Sequence, residues 1–192
     1  MGRERAEQQP GYIPTEGLTL EEDRRLVELL NKWNGGRIST PAFTEIARMS
    51  PQPIVEVVIF RMIEGRLETL LIPRPEDDVV WPGMYHTPGA ALRAADFQRA
   101  DQTPVNGAFE RIQRGELSGE FADAPTFVGW LDRLGDRGPE SARVFIAELP
   151  EGYDHPDHIW YSVDQLAQNP KFIQHQLPHV LMAAEQYVQM RS

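Results

Sequence analysis

Between Trp81 and Gly89 the chain reads Trp-Pro-Gly-Met-Tyr-His-Thr-Pro-Gly, which sets an indole, a phenol and an imidazole among turn-forming residues. An imidazole exchanges its proton near neutral pH, so His86 can contact a ligand or transfer a proton, and Trp81, held in a loop, can stack on a flat ligand. The plainer alternative for His86 is a turn histidine with a structural hydrogen bond. Farther on, Arg111 and Arg114 stand three residues apart in a segment of helical pattern and share one face. Two guanidiniums there repel a divalent cation and attract phosphate or carboxylate oxygens; the alternative is a pair of solvated residues matched with nearby acids. Glu110, Glu116 and Glu120 are candidate catalytic carboxylates that can offer oxygens to a magnesium ion, with solvated surface acids as the alternative.

Other chemistry-bearing residues carry less. His155, Asp157 and His158 put three potential metal ligands within four residues, but Pro156 and the approach to a strand work against converging geometry. His175 and His179 have the spacing of one helix face, yet Pro178 between them marks a helix start. Trp130 and Trp160, flanked by apolar strand residues, read as core. No Gly-x-Ser-x-Gly elbow, Walker phosphate loop or dinucleotide fingerprint occurs, and the absence of cysteine removes thiolate nucleophiles, disulfides and zinc fingers together.

The elements that must position these residues follow from periodicity. The first 17 residues, with Pro10, Gly11, Pro14 and Gly17, read as a loose arm. Thr19 and Glu22 have capping-box spacing before a helix with Leu26, Leu29, Leu30 and Trp33 on one face, and Thr40-Pro41 opens a second. Ile54 to Ile63 and Leu67 to Ile72, joined by Glu64-Gly65, form a hairpin. Ala90 to Ala100 reads as helical, and Thr103-Pro104 restarts a helix bearing Val105, Ala108, Phe109 and Ile112. Strands follow near Thr126 to Leu131, Ala142 to Leu149 and His158 to Val163, and a final helix carries Leu177, Val180, Leu181, Ala184, Tyr187 and Val188. Strands with intervening and terminal helices indicate a mixed layered domain.

With 192 residues the chain can bury one sizeable core. No apolar run approaches the roughly 20 residues of a membrane helix, and the charged start MGRERAEQQPGYIP is unlike a secretory signal, so the expectation is a cytoplasmic protein without membrane contact. A net charge of -10 without a Lys/Arg block argues against a general grip on nucleic-acid backbones. The expected partner is an anionic small molecule, with no nucleic-acid polymer.

The order of hairpin, Trp-Pro-Gly...Pro-Gly loop, helix, further strands and a last helix after Trp160-Tyr161-Ser162-Val163-Asp164-Gln165-Leu166 resembles the Nudix superfamily over about residues 53 to 190. The resemblance implies an α+β fold, a Nudix-like α/β/α sandwich with a mixed sheet, over 51–192, and leaves 1–50 as an N-terminal arm and helical extension. The family's box holds magnesium through glutamates on one helix face after a Pro-Gly-Gly loop. Pro88-Gly89-Ala90 resembles that loop, but with Ile112 in the aliphatic position the three glutamate positions hold Arg111, Arg114 and Gly115. Shifting by one residue restores Glu110 alone. The box reads as degenerate, and on a regular helix Glu110 and Glu116 point away from the lost positions by some 100° per residue.

What the resemblance implies for function is a nucleotide or other phosphorylated, anionic ligand bound in the cleft of Trp81, Tyr85, His86, Arg111 and Arg114, without standard magnesium-dependent diphosphate hydrolysis and with no cofactor. Two alternatives stay open. One is an atypical Nudix-type hydrolase of nucleoside diphosphate derivatives, in which arginines replace metal charge or other acids carry magnesium. The other is a protein-interaction or homodimerisation module built on the N-terminal helices.

Overall fold

The longest strand, β1 (Gln52–Ile63), forms where β-branched residues are densest. The computed structural model containing it describes residues 18–33, 39–98 and 102–191, so the arm read over the first 17 residues lies outside the described residues. The chain divides into two compact units, Met1–Ile38 and Ser39–Ser192. In the first, α1 (Leu20–Lys32) begins at the expected capping box: the Thr19 hydroxyl accepts from the Glu22 N–H, and the Glu22 carboxylate accepts from the Thr19 N–H at 2.8 Å. In the second, α2 (Thr40–Met49) precedes β1 and buries Ala47.

β1 turns into β2 (Arg66–Pro73) through Glu64 and Gly65, whose φ values of 50° and 77° suit the tight turn that a right-handed strand pair needs. Then follow β3 (Tyr85–His86), β4 (Gly89–Ala91), β5 (Thr126–Gly135), β6 (Gly138–Ala147) and β7 (Ile159–Ser162). The sheet runs β3-β2-β1-β6-β5, with β4 also on β1 and β7 also on β2. β1 and β6 are parallel and the other named pairs antiparallel, which makes the sheet mixed.

Alternation along β1 sends Val55, Val57 and Ile59 to one face and Val58 and Phe60 to the other. The first group packs with Ala108 and Ile112 of α3 (Pro104–Ile112), the second with Val180, Ala183 and Tyr187 of α4 (Leu177–Met190). Helices on both faces of a mixed sheet give the expected α/β/α sandwich. The same alternation turns Glu56 to the α4 face, 2% exposed, so a carboxyl is built into the sheet interior.

Two local expectations fail. Ala90 to Ala100 is not one helix: Gly89–Ala91 pairs with β1, and a short 3-10 turn, Ala94–Gln98, follows, held because the Asp96 carboxylate accepts the Arg93 N–H at 2.7 Å. Trp130 is not core but 58% exposed, because β5 is the sheet edge; Arg143 lies 4.7 Å from its ring centroid. Among the described residues no helix is long and apolar enough to cross a membrane.

Candidate ligand cleft

A cleft with about 110 Å³ of free space opens where the ends of β1 and β6, the Pro88-Gly89-Ala90 segment and the β5–β6 turn meet the loop between β2 and β3. Its two ends are built on opposite charge rules. At one end two arginines share one acid. Asp78 accepts from Arg74 Nε at 3.0 Å and from its Nη2, from Arg137 Nη2 at 2.9 Å, and from the backbone N–H groups of Val80 and Trp81 at 3.0 and 2.9 Å. Burial pushes this carboxyl up, but the Trp81 N–H, Arg74 and the Val80 N–H outweigh it and hold it well below the usual carboxylate range.

Arg137 reaches Asp78 because it sits in the two-residue turn from β5 to β6, whose other residue, Asp136, accepts the Trp81 indole N–H at 2.7 Å. The hairpin tip thereby clasps the β2–β3 loop. Trp81 lies between the Arg137 guanidinium, 4.4 Å from its ring, and His175, 5.0 Å between centroids. His86, buried on the same wall, is pushed down to about 3 by burial and by the positive charge of Arg74, so its imidazole is neutral at physiological pH.

At the other end one arginine serves two acids. Arg133 donates Nη2 to Glu56 Oε1 at 2.5 Å and Nε to Glu140 Oε2 at 2.7 Å. Its Nη1 lies 2.6 Å from His179 Nδ1, and since a guanidinium only donates, that nitrogen accepts and the ring proton sits on Nε2. Nε2 then donates to the Thr87 hydroxyl at 2.8 Å, which donates to Glu56 Oε2 at 3.3 Å. Burial, then the charge of Arg133, keeps His179 neutral. Burial raises Glu56 to about 7 against the opposing pull of Arg133, and Glu140 adds to the rise.

Glu116 joins this acidic end by way of the helix that ends beyond Ile112. Residues Gln113–Leu117 make a π-type turn, which takes more residues per turn than an α-helix and so puts Ile112 and Leu117, five apart, into one core cluster. The same widening swings Glu116 to the Gly89 N–H, which it accepts at 2.9 Å. The expectation that Glu116 points away assumed a regular helix, and the π turn corrects it. Glycine at 89 lets the two acids approach: a Cβ there would lie 2.7 Å from Glu56 Oε2 and the carboxylate would have to shift. Burial raises Glu116 to about 7, and the neighbouring Glu56 contributes.

The other expected site residues are spread out. Arg111 turns away from the cleft to Asp96 and donates to the carbonyls of Ala91 at 2.8 Å and Gly107 at 3.1 Å, the packing that holds the inserted 3-10 turn. Arg114 has an 82% exposed side chain and stands 3.9 Å from Glu110. Glu120 is exposed. Tyr85 packs against the α4-side core while its neighbour His86 lines the cleft. Trp81 and His86 therefore line the cleft and Glu116 reaches Gly89 on its wall, whereas Arg111, Arg114, Glu110, Glu120 and Tyr85 do not line it. Glu56, Arg74, Asp78, Arg133, Arg137 and Glu140 were not among the expected site residues, and His179, set aside because of Pro178, joins Arg133 in the cleft wall; the one readable signal was Glu56, a charge inside an otherwise apolar strand run.

Magnesium, which hydrolases of the resembled family use, does not fit this donor set. Among the described residues no three carboxylate or imidazole groups are grouped to hold a metal ion. Glu56 is tied to Arg133, and Glu116 to the Gly89 N–H.

No family model matches the sequence, and no curated protein matches it. Solved structures do. The NUDIX domain of Shewanella oneidensis NrtR, complexed with ADP ribose, is 15% identical with a TM-score of 0.56, covering 84% of this chain and 97% of that one. A mutT/nudix family protein from Listeria innocua is 18% identical with a TM-score of 0.53, covering 73% and 97%. Shewanella oneidensis NrtR complexed with a 27mer DNA is 15% identical with a TM-score of 0.56; 71% of this chain is covered, and it spans only 62% of the length of that protein. The chain thus has a Nudix-like fold. The DNA complex also corrects an expectation, since a protein containing this fold binds a nucleic-acid polymer. Charge summed over a sequence does not report the potential of a particular surface, so the exclusion of nucleic acid does not follow from -10.

Proposed function

We propose that this chain binds a nucleotide-type small molecule through its phosphates, at the Asp78 end of the cleft, without requiring magnesium. The observation that carries the reading is the pair of guanidiniums on one carboxylate. Two guanidiniums bring more N–H donors than the single carboxylate they share accepts, which leaves donors for a second anion. Guanidinium forks match phosphate oxygens, and the neutral His86 adds a polar contact without adding charge. The Arg133 end, with two acids on one cation, repels phosphate and so sets the ligand's direction. The poor fit of the donor set to magnesium supports the metal-free part, as does the degenerate reading of the box. The ADP ribose bound by the NrtR domain supports the ligand class.

The test is a thermal-shift screen of ADP-ribose, nucleotides and sugar phosphates, with magnesium and with EDTA, on the wild type and the Arg74→Ala, Arg137→Ala double variant. A ligand bound by the folded state raises the melting temperature. The reading requires a shift that survives EDTA and vanishes in the double variant. A shift that the double variant retains would move the site elsewhere.

A further inference from the structure

The Arg133 end holds more acid than base, and nothing in the proposed phosphate contacts uses it. Glu56 is faced by Arg133 from β5, Glu140 from β6, Glu116 from the π turn and His179 from α4. Arg74, Arg137, His86 and His175 line the rest of the cleft. Arg133 can neutralise only one of its two carboxylates, and His179, with Nδ1 accepting from Arg133, carries no charge to neutralise the other. Glu56 is 2% exposed and Glu140's side chain 11%, so water screens the excess poorly.

We propose that ligand binding in this cleft is coupled to proton uptake at Glu56, so that the protein releases its anionic ligand as pH rises. The coupling rests on the phosphate-binding reading above. An anion entering a cleft that already carries an unneutralised carboxylate raises the cost of leaving Glu56 ionised, and a proton on Glu56 removes that cost. The position of Glu56 near 7 puts the effect in the physiological range. Ionised Glu56 accepts from Arg133, Thr87 and Gln176. Protonated on Oε2, Glu56 keeps Arg133 and Gln176 on Oε1 and donates to the Thr87 hydroxyl, which turns its own proton to Gln176 Oε1, so the proton can come and go without dismantling the wall.

The experiment is calorimetric titration with ADP-ribose at pH 6.5, 7.5 and 8.5, each in two buffers of different ionisation enthalpy. The diphosphate of ADP-ribose has no group that titrates near neutrality, so protons exchanged come from the protein. Wild type should take up roughly half to one proton at pH 7.5, with affinity falling about three- to tenfold per pH unit above 7. Glu56→Gln should bind with a flat pH profile and no proton uptake, while His175→Asn, whatever its affinity, should still take up a proton and lose affinity as pH rises, which separates Glu56 from the cleft histidine. If Glu56→Gln does not fold, the two-buffer comparison on Glu116→Gln decides: it should still take up the proton, and loss of uptake there would overturn the assignment to Glu56. Binding of equal strength at all three pH values with no proton exchanged would overturn the coupling and leave the binding reading standing. No binding of ADP-ribose at any pH would count against both.

Discussion

Two arginine-bearing regions look alike in the sequence and differ in the fold. On α3 and the π turn after it, Arg111 and Arg114 occupy positions that resemble a metal-binding face, yet one is consumed by Asp96 and two carbonyls and the other stands in solvent. Around the cleft, Arg74, Arg133 and Arg137 come from three separate elements, and each is aimed by a carboxylate that is itself fixed. An arginine becomes a binding group when long-range partners hold its fork toward a cavity. Local spacing does not supply that.

The comparison breaks most easily at Arg133. Arg133→Met should cost about 3–5 kcal/mol in urea denaturation, because it strands Glu56 and Glu140 inside the wall; a loss under 1 kcal/mol would mean that the acidic end is not electrostatically organised. Next is the pH dependence of stability. Glu56 is raised from 4.5 to about 7 on folding, so the native state binds the extra proton between those values, and the stabilisation it brings is complete below 4.5 and lost as pH rises through 7. The wild type's advantage over Glu56→Gln should therefore shrink by on the order of 3 kcal/mol from pH 4.5 to 7.5. Buried neutral His86 and His179 have the opposite sign, adding stability as pH rises toward 6.5, but they are common to both proteins and cancel in the difference.

Smaller effects sharpen the contrast between the regions. Arg111→Ala should lose about 1–3 kcal/mol of stability by taking the guanidinium from Asp96 and the donor from the Ala91 carbonyl, with ADP-ribose affinity unchanged within about twofold. Arg137→Ala should lose a similar amount, about 1–3 kcal/mol, by removing one guanidinium from Asp78, but should also bind about tenfold more weakly, so affinity is what separates the two regions. Arg114→Glu should alter neither in a measurable way, since the side chain is solvated. If Arg111→Ala abolished binding and Arg137→Ala did not, the assignment of the two regions would be exchanged.

Local patterns carried the layered fold. β1, its turn at Glu64-Gly65, α3 and α4 are legible because strand and helix periods and turn chemistry act over a few residues. The cleft was legible only where the sequence concentrates it, at Trp81 and His86. Asp78 and Arg137 lie 59 residues apart, and Glu56 and Arg133 77, so no spacing rule joins them. The π turn was invisible for a related reason. Whether the chain takes an α or a π turn at Gln113–Leu117 is decided by the need to bury both Ile112 and Leu117, and that tertiary demand redirects Glu116.

In the proposed function, arginines recognise phosphate in place of a metal ion. This substitution is tested most directly by titrating the wild-type protein with ADP-ribose in EDTA and again in excess magnesium, while assaying the same samples for hydrolysis products. Dissociation constants should be equal within about twofold, with ADP-ribose intact in both. Binding that appears only with magnesium, or turnover that EDTA stops, would contradict the substitution.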